Sequence, residues 1–162
     1  MRAIRVGVTI DAPREPVFAY LSDIANHVEF SDHYLKDFRL ERLDSRGVGA
    51  AARFRVAFGG ALWAEIAIAG LEPPHRIVLE GRAGRLGRVK IDAEYRLTPH
   101  GREATRVDYE ISTTPATTTD RLREALGGRA WLRWQSHKAI RRLAQVLEEG
   151  QPSAHAVRVA AG

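Results

Sequence analysis

From Leu35 to Ile111 apolar residues recur at alternate positions, the period of a strand with one buried face. Turn-forming residues interrupt this run at Ser45–Gly49, Phe58–Gly60, Glu72–His75, Gly81–Gly87 and Thr98–Gly101, which divides it into a sequential antiparallel meander of six strands. Ile4, Val6, Val8 and Ile10 alternate with Arg5, Gly7 and Thr9 and add a seventh strand ahead of it. Every strand then has one apolar side, and a sheet of that kind must cover it with something. Only the helical segment from about Asp120 to Glu149 is long enough to do so.

The first strand is separated from the meander by VTIDAPREPVFAYLSDIANHVEF, where the period changes from two to helical. Pro13 suits a first helical turn, Val17, Phe18, Leu21 and Ile24 supply its buried stripe, and Ser22 or Asp23 can cap a second short helix running to about Phe30. If the sheet curls around the long helix, these two short helices fall at an open end, where they would plug or gate it. Gly127 and Gly128 interrupt the C-terminal segment, so a short lead-in helix, a kink and a main helix from Arg129 are expected. The chain reads as one domain over residues 1–149 with a frayed tail over 150–162.

Composition narrows the function classes. The chain has 162 residues, 44% of them hydrophobic, and no cysteine, which excludes disulfides, thiolate metal sites and cysteine nucleophiles. No apolar run reaches membrane-spanning length and the N-terminus lacks a signal-peptide core, so a cytoplasmic protein is expected. A net charge of +5 invites a nucleic-acid reading, but the sheet cations are interleaved with acids, as in Glu94 beside Arg96 and Arg106 beside Asp108. The field cancels locally, and nucleic acid is not expected as a partner. The long helix carries Arg129, Arg133, Lys138, Arg141 and Arg142 near its tryptophans, which reads as a solvated face and leaves open a weak contact with a membrane surface. Nothing in the sequence bears on oligomeric state.

Strand alternation assigns sides. Phe54, Val56, Leu62, Ala64, Ile66, Ile68, Val89, Ile91, Ala93, Tyr95, Leu97, Val107, Tyr109 and Ile111 share the inward phase, while Arg53, Arg55, Glu65, Asp92, Glu94, Arg96, Arg106, Asp108 and Glu110 share the outward one. Ionisable groups are therefore scarce on the inner side. Tyr95 and Tyr109 are the inward hydroxyls, and Trp134, His137, Ile140, Ala144 and Leu147 fall at helical spacing, which places His137 among apolar neighbours. These three, His137, Tyr95 and Tyr109, are the candidates for proton transfer. Phe30, His33, Tyr34, Phe54, Ile66, Ile91, Tyr95, Tyr109, Trp134 and His137 are the expected ligand contacts, with Trp131 and Trp63 either closing the mouth or packing. The segment HVEFSDH has metal-ligating types at His27, Glu29, Asp32 and His33, but its spacing does not match one helical face, and no metal is assigned. GRAGRLGR leads into strand-like VKIDAEYRL and not into a helix, so it is a hairpin connection and not a phosphate loop. No motif asks for a cofactor.

The stretch VTIDAPREPVFAYLSDIANHVEFSD, the strand LKDFRLERLD with its GVG turn, and WLRWQSHKAIRRLAQVLE together resemble the polyketide cyclase/dehydrase-like branch of the START, or Bet v 1-like, superfamily. The resemblance spans about Arg2 to Glu149 and departs at Phe30, where many relatives of this branch place a Trp. It implies an α+β helix-grip fold, with a seven-stranded antiparallel curved sheet wrapped around a long C-terminal helix and two short helices between strands 1 and 2. It also implies a hydrophobic cavity. Three readings follow from it: binding of a hydrophobic or amphipathic small molecule such as a lipid or polyketide, a cyclase or dehydratase using a cavity His or Tyr, and a filled-core interaction protein resembling co-chaperones of this fold.

Overall fold

The computed structural model describes residues 3–58 and 61–150. Gly59 and Gly60 of the expected second turn, and residues 151–162 of the expected tail, lie outside the described residues. Strand β1 (Ile4–Ile10) is followed by helix α1 (Arg14–Leu21), a single 3-10 turn (Ile24–Asn26) and helix α2 (His27–Ser31). The meander then runs through β2 (Leu35–Leu40), β3 (Ala51–Ala57), β4 (Ala61–Glu72), β5 (Arg76–Ala83), β6 (Val89–His100) and β7 (Ala104–Thr114). Helix α3 (Thr118–Arg123) leads to the long helix α4 (Arg129–Glu149). The sheet has the order β1-β7-β6-β5-β4-β3-β2, all neighbours antiparallel, so β1 joins the meander at its far edge beside β7. This is the helix-grip architecture.

Alternation sorts the sheet as the sequence pattern requires. Phe54, Ala64, Ile68, Ile91, Ala93, Tyr95, Leu97, Val107 and Ile111 are buried on the concave side, whereas the outward phase is joined by ion pairs such as Arg5–Glu110, Arg76–Glu94 and Lys90–Asp92, each at 2.7 Å. Three turns are tighter than expected: Glu72 belongs to β4, paired with Arg76, Thr98 to His100 belong to β6, paired with Arg106, Thr105 and Ala104, and the third lies between β5 and β6. Gly81 is not a turn residue but belongs to β5, facing Ile66 of β4 and Ile91 of β6. A Cβ there would come within 2.2 Å of the Glu65 carbonyl oxygen, so glycine lets the two backbones approach closely. The hairpin proper is confined to residues 84–88.

The connection from β1 into the short helices is tied down at several points. The Thr105 hydroxyl donates to the Ala12 carbonyl at 2.7 Å in a fully buried position. α1 turns Val17, Phe18 and Leu21 into the core, and the Asp23 carboxylate accepts from the Ala25 N–H at 3.1 Å to cap the 3-10 turn. Asp23 also takes Arg46 at 2.8 Å, and Asp32 at the end of α2 takes Arg142 of α4. The short helices are thereby fixed both to the β2–β3 connection and to the long helix.

Between α3 and α4 the backbone leaves the helical path at Leu126 and at Gly127, where φ is 107°, a region only glycine enters without strain. α4 then buries Gln135, Ser136, Ala139, Ile140, Leu143 and Ala144. Of the face read from the sequence, Ile140 and Ala144 are buried and Leu147 packs against the core, but two members are corrected. Trp134 and His137 point outward, with Trp134 60% exposed and its ring beneath the Lys138 ammonium at 5.6 Å. At about 100° per residue, Trp134 lies about half a turn away from the fully buried Leu143, so both cannot face the sheet. No helix among the described residues is long and apolar enough to cross a membrane.

The orientation of α4 has a direct thermodynamic signature. Leu143→Ala leaves a cavity where the helix meets the sheet and is expected to cost about 3 kcal/mol, whereas Trp134→Ala stays within about 0.5 kcal/mol. Urea unfolding of the two variants measures this; the opposite ranking would mean that the helix is rotated by half a turn.

Candidate functional site

α4 and the short helices leave part of the concave sheet uncovered. The space enclosed is a cavity of about 760 Å³. Its mouth lies at one edge of the sheet, where Phe58 after β3, Gly84 and Arg88 between β5 and β6, Pro115, Thr117 and Thr119 after β7, and Gly128 and Trp131 at the start of α4 converge. The depth follows from strand register. On β6 the lining residues are Val89, Ile91 and Tyr95, and on β7 they are Thr113, Ile111 and Tyr109. The next inward pair, Leu97 and Val107, is 1% and 0% exposed and lies outside the cavity. Tyr95 and Tyr109, directly paired with ring centroids 4.6 Å apart, therefore form the floor.

His27 stands beside this floor. Its ring meets Tyr95 edge-on at 5.9 Å and Phe30 at 5.4 Å, and its Nε2 donates to the Leu21 carbonyl at 2.8 Å when the Nε2–H tautomer is present. That tautomer leaves Nδ1 as an acceptor, and no described group bonds to it. Burial holds the His27 pKa below its ordinary value, despite the opposing pull of the Leu21 carbonyl and Asp23, so the imidazole is neutral near pH 7. Desolvation likewise pushes the Tyr34 hydroxyl up to about 12 and those of Tyr95 and Tyr109 further still. All three tyrosines line the cavity, and none of their hydroxyls has a hydrogen-bond partner among the described residues. No carboxylate lines the cavity among the described residues.

The wall includes most of the residues expected from strand phase. Phe30, Tyr34, Phe54, Ile66, Ile91, Tyr95 and Tyr109 all line it. His137 and Trp134 do not, because α4 turns both toward solvent, and His137 is too far round the helix to serve as acid or base for a molecule in the cavity. His33 is also outside. Its Nδ1 lies 3.2 Å from an Arg142 guanidinium nitrogen and its ring packs on Tyr34 at 4.9 Å, so it joins α2 to α4 from behind the wall. Trp131 lines the mouth, with Tyr34 at 6.0 Å and Phe58 at 4.8 Å, while Trp63 lies on the outer surface under Arg53. Of the HVEFSDH set, Glu29 accepts from the Tyr20 hydroxyl at 2.6 Å, Asp32 pairs with Arg142, and His27 turns inward; the four side chains diverge.

His27, Phe38, Phe58 and Arg88 were not anticipated as wall residues. For His27 a signal existed: residues 27, 30 and 34 recur at helical spacing and present one continuous side to the cavity. Phe38 stacks on Phe54 at 5.8 Å after an irregularity in β2 between Lys36 and Arg39 that period-two counting does not register.

An antiparallel sheet gripping one long helix over an aromatic-walled cavity defines a helix-grip protein. The chain belongs to the polyketide cyclase/dehydrase and lipid transport family, whose model matches residues 1–148. Solved structures share the fold. TTHA0849 from Thermus thermophilus matches at 15% identity with a TM-score of 0.70, over 92% of this chain and 99% of that one. The KanY protein matches at 13% identity with a TM-score of 0.71, over 90% and 97%. DynU16, a protein in the dynemicin biosynthetic locus, matches at 23% identity with a TM-score of 0.63, over 94% of this chain but 49% of DynU16, so the chain spans about half the length of that relative. At these identities the likeness establishes the fold. No curated protein matches the chain.

The buried imidazole makes a pH-dependent contribution whose sign follows from its environment. Unfolding returns His27 to an ordinary value near 6.5, while the folded chain holds it lower. Between those values only the unfolded state takes up the proton. Stability is therefore complete above about pH 6.5 and falls below it, by up to about 1.4 kcal/mol per pH unit until the folded value is reached. His33 is shifted in the same direction, so the measurement is a comparison. His27→Gln should show a shallower loss than wild type between about pH 6.5 and 5 in urea unfolding; equal slopes would remove His27 as the source.

Proposed function

We propose that the chain binds a hydrophobic or amphipathic small molecule, of lipid or polyketide type, in the cavity between sheet and α4. The observation that carries this reading is a cavity of about 760 Å³ whose wall is mostly Phe, Tyr, Trp and aliphatic side chains and has no carboxylate among the described residues. Small-molecule sites commonly enclose about 300–1,000 Å³ with few polar groups, and this wall has that balance. Phe30, Tyr34, Phe54, Ile66, Ile91, Tyr95 and Tyr109 are the proposed contacts. The same volume counts against a filled-core interaction protein, which would have no such space.

A second reading, a cyclase or dehydratase, is favoured by one arrangement. A neutral imidazole with a free nitrogen stands beside unpartnered tyrosine hydroxyls at the floor of the cavity. There His27 would accept a proton while Tyr95 or Tyr109 donates a hydrogen bond to a carbonyl oxygen. His27 takes the place that the sequence pattern assigned to His137.

Native mass spectrometry of the purified protein, followed by denaturing extraction, is expected to reveal a hydrophobic passenger at one per chain. Replacing Ile66 and Ala83 together by Trp should fill the space and abolish the passenger with the fold retained by circular dichroism. A chain that carries nothing, and whose melting temperature is unmoved by lipids, flavonoids or polyketides, would overturn the reading. Release of a chemically altered passenger, lost in His27→Gln, would favour turnover over carriage.

A further inference from the structure

The two ends of the cavity differ in chemistry. The floor holds the Tyr95 and Tyr109 hydroxyls and the free ring nitrogen of His27, all un-ionised, with Phe30 and Leu79 beside them. The mouth holds Arg88, whose exposed guanidinium has no ion-pair partner among the described residues. Arg5, Arg55, Arg76, Lys90, Arg96 and Arg106 of the same sheet each meet a carboxylate, whereas Arg39, Arg53 and Arg82, like Arg88, meet none among the described residues; of all these cations Arg88 is the one that lines the cavity. We propose that the cavity takes an elongated amphipathic molecule in a single orientation, with an un-ionised oxygen, hydroxyl or carbonyl, at the tyrosine floor and an anionic group at Arg88. This rests on the binding reading above and adds polarity and direction to it.

The floor admits an oxygen but not an ion. A buried carboxylate or phosphate there would lose its water and meet no positive charge, since burial keeps His27 neutral. A neutral hydroxyl is matched twice over, accepting from a tyrosine O–H and donating to His27 Nδ1, and a carbonyl is matched by the tyrosines alone. Leaving those hydroxyls against a purely hydrocarbon ligand would strand buried polar groups, so an apolar end at the floor is disfavoured as well. At the mouth the balance reverses. An anion beside Arg88 keeps part of its hydration and gains a guanidinium partner that fits carboxylate or phosphate geometry. The separation sets the length. Tyr95 lies seven residues beyond Arg88, which immediately precedes β6, and at about 3.3 Å per residue their backbone positions stand about 23 Å apart. A fully extended chain of about sixteen carbons, or a fused-ring system with a side chain, is of that size.

Three sixteen-carbon probes test this: hexadecanoate, 16-hydroxyhexadecanoate and 1-hexadecanol, titrated at submicromolar concentration with tryptophan fluorescence as the readout. 16-Hydroxyhexadecanoate should bind about five- to tenfold more tightly than hexadecanoate. The Tyr95→Phe, Tyr109→Phe double variant should erase that advantage, with hexadecanoate bound at least as tightly as by wild type because no hydroxyl is left stranded against its methyl end. Arg88→Gln should weaken both acids about three- to fivefold, remove most of their salt dependence and leave hexadecanol unchanged. If all three probes bind equally and neither variant discriminates among them, the orientation is refuted while apolar binding stands. An advantage for the hydroxy acid that survives in the tyrosine variant also overturns it. If no probe binds and the native protein carries no passenger, the binding reading falls together with the orientation.

Discussion

A helix is about 10 Å across, whereas seven strands at about 4.8 Å spacing present a face about 30 Å wide. One helix cannot cover such a face if the sheet is flat. The sheet must curl, and within it Gly81 lets the backbones of β4 and β5 approach closely. Curling brings β1 against α4 and seats Leu143 and Ile140 in a close-packed core at one end. At the other end the diverging surfaces are too far apart for side chains to fill. The short helices cover part of the gap and the cavity is what remains.

The electrostatics follow from the same asymmetry. A curled sheet has one side with water and one without, and the alternation of the strands sends nearly all of its carboxylates and cations to the wet side, where many pair across strands, as Arg5 with Glu110 and Arg76 with Glu94, or along one strand, as Lys90 with Asp92. Polar groups on the dry side are limited to those that remain neutral: tyrosine hydroxyls whose ionisation is suppressed and an imidazole held deprotonated. Such a wall stabilises partial charge and not full charge.

Period-two alternation is a strong signal because a slip of one residue would exchange inner and outer faces, so Tyr95, Tyr109, Ile66, Ile91 and Phe54 were legible as wall residues from spacing alone. The kink at Gly127 was legible for the same kind of reason, since adjacent glycines fit poorly inside a helix. The rotation of α4 was not. Its buried side includes Gln135, Ser136 and Ala139, which carry no hydrophobic signal, beside Ile140, Leu143 and Ala144, while Trp134, which does carry one, lies on the solvent side against Lys138. His27 was hidden differently. Its neighbours Glu29, Asp32 and His33 suggest an exposed polar elbow, and only the three-dimensional path of α2 separates the one side chain that turns inward from those that turn out.

The floor and the rim are built from different kinds of structure. Tyr95 and Tyr109 sit midway along two strands that each have a partner on both sides, whereas Phe58, Gly84, Arg88, Thr117 and Gly128 belong to connections and to the first turn of α4. Loops accept insertions and exchanges that strand interiors reject. Divergence within such a scaffold can therefore reshape the rim alone, while the paired strands keep the depth and the floor of the cavity as they are.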